Sequence, residues 1–114
     1  MEKIGAYREI VHRLLQKYCV FLTDLTRTDV DTEIVSDDLH GQYLLMRIGW
    51  RGETRVRRPL FYLRLKDGKI FVEEDWTKEG IANELIRTGV APSDIVLAFN
   101  SPSVRSELPA FALS

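Results

Sequence analysis

The tetrapeptide Lys66-Asp67-Gly68-Lys69 constrains the fold of this chain more than any other feature. Asp-Gly between two apolar runs favours a type I′ turn, whose twist matches that of the strands it joins. Residues 54–66 and 69–74 are therefore predicted to form a hairpin. A two-residue turn sets Leu65 opposite Ile70, Leu63 opposite Val72, Arg64 opposite Phe71 and Tyr62 opposite Glu73. A slip of one residue would invert every side chain, so register decides which face is apolar.

Two more strands are predicted upstream. Residues 29–36 alternate, with Val30, Thr32 and Ile34 on one side and Asp31, Glu33 and Val35 on the other. Residues 42–50 place Leu44, Met46, Ile48 and Trp50 on one face. A turn at Gly52-Glu53 pairs even positions of that strand with odd positions of the next, so Leu44, Met46 and Ile48 are expected beside Phe61, Leu63 and Leu65. A five-residue loop at 37–41 then puts Ile34 opposite Leu44. Pro59 removes a ladder donor and predicts a bulge or a free strand edge. The four strands make an antiparallel meander with one apolar face.

That face needs a cover, and residues 3–22 supply it. Ile4, Tyr7, Val11, Leu14, Tyr18 and Phe21 recur every three or four residues, as on one side of a helix. Ile10, Leu15 and Leu22 widen the stripe enough to leave apolar area for a partner. Thr23 to Thr28 reads as a polar connection. A second helix is predicted over 78–88, with Thr77 as N-cap and Gly89 at the C-terminal cap. Ile95 to Phe99 reads as a buried strand, or as a helical turn followed by extended chain. Leu108, Phe111 and Leu113 suggest a tail that docks, on this chain or on another subunit. The fold class is α+β, as a single domain over residues 1–114.

Composition supports a packed fold. Of 114 residues, 45 % are hydrophobic, enough apolar surface to offset chain entropy. Cys19 is the one cysteine, so no internal disulfide forms and nothing points to secretion. No apolar run approaches a membrane span, and Met1 to Gly5 does not begin a signal peptide. A soluble cytoplasmic protein is expected. The formal net charge of −1 excludes a strongly basic DNA-binding domain for the chain as a whole. Yet residues 41–72 hold eight basic and two acidic side chains, between two acidic stretches. Oppositely charged strands could pair across the sheet, or the basic stretch could face an acidic partner or phosphate.

Catalytic signatures are missing. His12, His40 and Cys19 do not form a zinc spacing, and His40 beside Asp37 and Asp38 reads as a solvated turn. There is neither a nucleophile elbow nor a phosphate loop. Glu73, Glu74 and Asp75 could hold magnesium in a nuclease, but they read more simply as a charged turn. No catalytic, cofactor-binding or metal-binding residue is assigned.

The face opposite the core carries the candidate site: Tyr43, Arg47, Arg58, Tyr62, Arg64 and Phe71, with Leu45 and Leu60 beside them. Arginine among aromatics suits a protein interface, including a sheet-to-sheet homodimer. It also suits a platform for single-stranded nucleic acid. The alternative is a solvated sheet on which Arg64 lies over Phe71 or pairs with Glu73.

Several spaced segments resemble the XisI-like proteins. These are Tyr7-Arg8-Glu9-Ile10-Val11, the Gly49-Trp50 pair, Lys66 to Val72, Thr77 to Leu85, and Gly89 to Phe99 with Pro102 and Arg105 beyond. The resemblance covers essentially the whole chain. It implies a small cyanobacterial α+β protein, and it carries over no catalytic residue. Such a protein would be an accessory controlling factor for excision of the fdxN DNA element in heterocyst differentiation. The resemblance further implies an XisH-like protein as partner and a separate recombinase. The residues themselves leave direct, weak or indirect contact with DNA as the alternative.

Overall fold

The structure, a computed structural model, describes residues 3–25 and 29–113. Helix α1 (Lys3–Leu25) lies against one face of a sheet built from β1 (Val30–Asp37), β2 (Gln42–Arg51), β3 (Thr54–Lys66) and β4 (Lys69–Asp75). Helix α2 (Ile81–Arg87), a 3-10 turn (Pro92–Asp94), the short strand β5 (Ile95–Val96) and a helical turn, α3 (Pro102–Arg105), complete the chain. Strand order is β1-β2-β3-β4-β5, antiparallel except for β5, which runs parallel to β4. The class is α+β as expected, but the sheet is five-stranded and mixed rather than a four-stranded antiparallel meander. The difference is the Ile95-Val96 run, which returns from α2 in the direction of β4 and pairs with Ile70 and Phe71. The connecting helix makes that parallel return possible.

The Asp67-Gly68 turn forms as predicted, with φ positive at both residues (55° and 75°). Leu65 faces Ile70, Leu63 faces Val72 and Arg64 faces Phe71. Tyr62, however, pairs with Glu74, because Glu73 is an extra residue in β4. Phe61, Leu63, Ile70 and Val72 are fully buried beneath Tyr7, Val11, Leu14 and Leu15 of α1 and Ile81 and Leu85 of α2. Each such side chain removed from water stabilises the fold by ~1.5–3 kcal/mol.

Strand β2 is inverted relative to the sequence expectation. Its core-facing residues are Tyr43 and Leu45, both fully buried, whereas Leu44, Met46 and Ile48 lie on the opposite face. The cause is a bulge at Leu60. From Arg51–Thr54 to Met46–Pro59 the pairing follows the two-residue turn at Gly52-Glu53, but Leu45 then faces Phe61. One extra residue in β3 changes the parity of every later pair. A second one-residue difference keeps β1 consistent: the β1–β2 loop has four residues, 38–41, and Ile34 faces Leu45 rather than Leu44. Val30, Thr32 and Ile34 turn inward as predicted, and Asp31, Glu33 and Val35 are exposed. Gly41 closes this loop at φ +64, where a Cβ would collide with the carbonyl oxygen of Leu65.

Helix α1 covers the sheet with Tyr7, Val11, Leu14 and Leu15, then with Tyr18, Cys19 and Leu22. Phe21, expected in this stripe, is half exposed, as is Val20. A seven-residue spacing drifts about 20° per heptad around a straight helix, so the row 7, 14, 21 walks off the interface. The predicted polar connection is partly helical through Leu25, and residues 26–28 lie outside the described residues.

Helix α2 starts three residues later than predicted, with Gly80 rather than Thr77 at its N-cap. Asp75 organises the turn before it. Its carboxylate accepts the Ile81 N–H (2.8 Å) and the N–H of Thr77 (2.9 Å). The C-terminal tail docks on its own sheet: Ala112 bridges to Val96, its N–H donates to Ile95 O at 2.9 Å, and Phe111 packs on the core. No helix among the described residues is long and apolar enough to cross a membrane.

Candidate interaction site

The six residues singled out from the sequence do not share a surface. Tyr43 is a core residue. Its phenol donates to Asp38 at 2.7 Å and its ring meets His12 edge-on at 5.4 Å between centroids. Burial raises the Tyr43 pKa, and the hydrogen bonds from Tyr43 and His12 hold Asp38 below the usual carboxylate range. Arg47 and Arg58 follow the inward-facing parity of β2 and of β3 past the bulge. They line a cleft with Leu22, at the end of α1, on the helix side of the sheet. Only Tyr62, Arg64 and Phe71 stand together on the helix-free face. Leu45 and Leu60, expected beside them, pack on the core side instead.

On the helix-free face, Arg64 is paired with Glu73 at 3.0 Å, as the solvated-sheet alternative anticipated. Lys66 rather than Arg64 approaches the Phe71 ring, at 5.8 Å. Tyr62 donates its hydroxyl proton to Gln42. The residues that the parity change brings here are apolar. Val35 faces Leu44, Leu44 faces Tyr62, and Met46 faces Pro59 across neighbouring strands. No element of the described chain packs over them; they lie outside the core cluster that α1 and α2 seal. Their flanks differ in charge: Asp31 and Glu33 on β1, Arg55 and Arg57 on β3.

The β2–β3 hairpin is a second feature. Beyond Gly49 and Val56 it outruns β1, and β4 pairs only with Phe61 to Lys66, so the Thr54–Pro59 half of β3 has a free edge. Between residues 47 and 58 it carries five arginines and one acidic residue, Glu53. Arg47, Arg51 and Arg58 line a cleft of about 190 Å³ floored by Leu22, Val56 and Leu60. Arg58 lies over the Trp76 indole at 4.7 Å and Arg55 over that of Trp50 at 5.3 Å. Arg47 donates to the Thr32 hydroxyl at 2.9 Å. Among the described residues, none of the five forms an ion pair. Arg51, Arg55 and Arg57 were visible in the sequence as part of its basic stretch. Strand alternation divides the five over two faces, and the bulge decides that Arg47, Arg51 and Arg58 take the helix side.

The residues weighed for catalysis are each engaged separately. Glu73 holds Arg64, Glu74 accepts the Trp76 indole N–H at 2.6 Å, and Asp75 caps the turn into α2. His40 pairs with Asp37 and His12 with Asp38, both at 2.7 Å. Among the described residues no three metal-ligating side chains come together. Cys19 is half-buried, its thiol directed to Thr32 O at 3.7 Å.

A family profile described as XisI protein matches residues 1–113. The fold is similar to the crystal structure of a XisI-like protein from Anabaena variabilis ATCC 29413, with a TM-score of 0.86 and 31 % identity over 96 % of this chain and 98 % of that one. It is also similar to the fdxN element excision controlling factor XisI from the same organism, with a TM-score of 0.80 and 34 % identity over 98 % and 99 %. No curated protein matches the chain.

Proposed function

This chain belongs to the XisI protein family, and on that premise we propose that it is a controlling factor of DNA element excision. In this reading it performs no chemistry on DNA and works through protein contacts. The observation that carries the reading is the near-complete match, in both chains, to the fdxN element excision controlling factor XisI.

The contact surface is the helix-free face of the sheet. Leu44, Met46 and Ile48 supply apolar area, and Tyr62, Arg64 and Phe71 supply the anchors that interfaces favour. The partner is an XisH-like protein. Co-expression with such a protein from a neighbouring reading frame tests this. The complex should co-purify and be lost in Leu44→Glu and Arg64→Glu; retention in both rejects the face.

One observation favours a second occupant. Asp31 and Glu33 flank the apolar strip on one side and Arg55 and Arg57 on the other, so a two-fold copy could set acid against base. If the purified chain alone sediments as a dimer and Leu44→Glu returns it to monomer, the face belongs to a homodimer.

A further inference from the structure

We propose that the arginine-bearing β2–β3 hairpin is an arm that grips the phosphate backbone of a nucleic acid. This inference concerns the end of the hairpin, which borders the helix-free strip through Arg55 and Arg57, and its DNA titration is read independently of the protein-contact reading. Five cations within twelve residues, with one carboxylate, repel one another unless a polyanion meets them. All five are arginines, whose planar forks bind phosphate oxygens two at a time.

Edge protection explains a charge or a proline on a free strand. It does not explain Arg47, Arg51 and Arg58, which lie on the flat side of the ribbon and line one cleft of about 190 Å³. A second hollow of about 280 Å³ follows the free edge of β3 and is bordered by Arg51, Arg55, Arg57 and Arg58. A small anion would fill one hollow. Cations on both faces and along the edge suit an extended chain of phosphates. Trp50 and Trp76, both more than half exposed, hold Arg55 and Arg58 by their flat faces; Arg55 spends one N–H on the Gly49 carbonyl at 3.3 Å and keeps its other donors for phosphate. A two-stranded ribbon also fits the ~12 Å major groove of duplex DNA.

The test is fluorescence anisotropy of labelled 20-mer duplex and single-stranded DNA against the full chain, across a salt series. Counterion release predicts a slope of log K against log salt of about −4, so a fourfold rise in salt weakens binding by about two orders of magnitude. Arg51→Ala, Arg57→Ala and Arg58→Ala combined should flatten the slope by about three. Arg13→Ala, on the outer side of α1 and paired with Glu9, should leave it unchanged. Matching thermal melts show that the triple variant is folded. No binding at low salt overturns the proposal, as does a triple variant with the wild-type slope. Inorganic phosphate competing as tightly as DNA reassigns the cleft to a free anion. Loss of an XisH-like partner by the triple variant, without DNA binding by the wild type, reassigns it to an acidic protein surface; both outcomes overturn the proposal.

Discussion

The phenol of Tyr7 donates a 2.6 Å hydrogen bond to the carboxylate of Asp94, joining the first turns of α1 to the 3-10 turn before β5, 87 positions away. Lys3 reaches the same carboxylate at 3.2 Å. Burial first, then the bond to Asp94, raises the Tyr7 pKa above 10.0. The bond from Tyr7 chiefly holds Asp94 below 3.8. Asp94 therefore contributes stability above its unfolded pKa, and that contribution fades as pH falls through the folded value. Tyr7 contributes below its unfolded pKa and loses this as pH rises through the folded one. Tyr7→Phe should cost ~1–2 kcal/mol in urea denaturation at neutral pH. The gap between wild type and Asp94→Asn should close below about pH 4; a gap that is constant down to pH 2 contradicts the assignment.

The inverted parity of β2 predicts opposite outcomes for adjacent leucines. Leu45→Lys places a charge in the sealed core and should unfold the chain or cost more than about 4 kcal/mol. Leu44→Lys, on the helix-free face, should stay within about 1 kcal/mol. Circular dichroism melts of the two variants decide it: the reverse order would restore the register without a bulge, and equal sensitivity would contradict the inverted face.

Gly41→Ala should be costlier than Gly52→Ala. Both glycines have positive φ, which costs an alanine ~1–2 kcal/mol. At Gly52 a Cβ meets nothing within 4 Å, whereas at Gly41 it meets the Leu65 carbonyl. A denaturation midpoint lower for Gly41→Ala is expected; the reverse order would refute the loop geometry.

Glu84 is the one charged residue buried among those described, between Lys17 at 3.1 Å and Arg87. Both cations are mostly exposed and rehydrate once the carboxylate is gone. Glu84→Leu should therefore change stability by about 1 kcal/mol or less, not the 3–5 kcal/mol of breaking a fully buried pair. A loss above 3 kcal/mol in chemical denaturation contradicts this.

Local chemistry made the hairpin at Asp67-Gly68, the inward faces of β1, β3 and β4, and the covering helix legible in the sequence. Turn residues and apolar spacing are read within a few positions of each other, so those features need no long-range information. The face of β2 was not legible, although Pro59 signalled the bulge. A proline indicates that pairing is interrupted but not on which residue the extra step falls, and one step exchanges Leu44 for Leu45. The candidate site inherited that error. Tyr62, Arg64 and Phe71 lie on the downstream side of the bulge, in register with the well-read hairpin, and share the helix-free face. Tyr43, Arg47 and Arg58 depend on β2 pairing or on the upstream half of β3, and fall elsewhere. β5 was ambiguous because two residues cannot display a period.

The bridge from Ala112 to Val96 gives the last residues a protective task. They occupy backbone positions that a foreign strand would otherwise use to lengthen the sheet, and the opposite margin is guarded by Asp31 and Glu33. Shortening the chain before Phe111 would unmask β5, and such a product should form aggregates whose yield climbs with concentration.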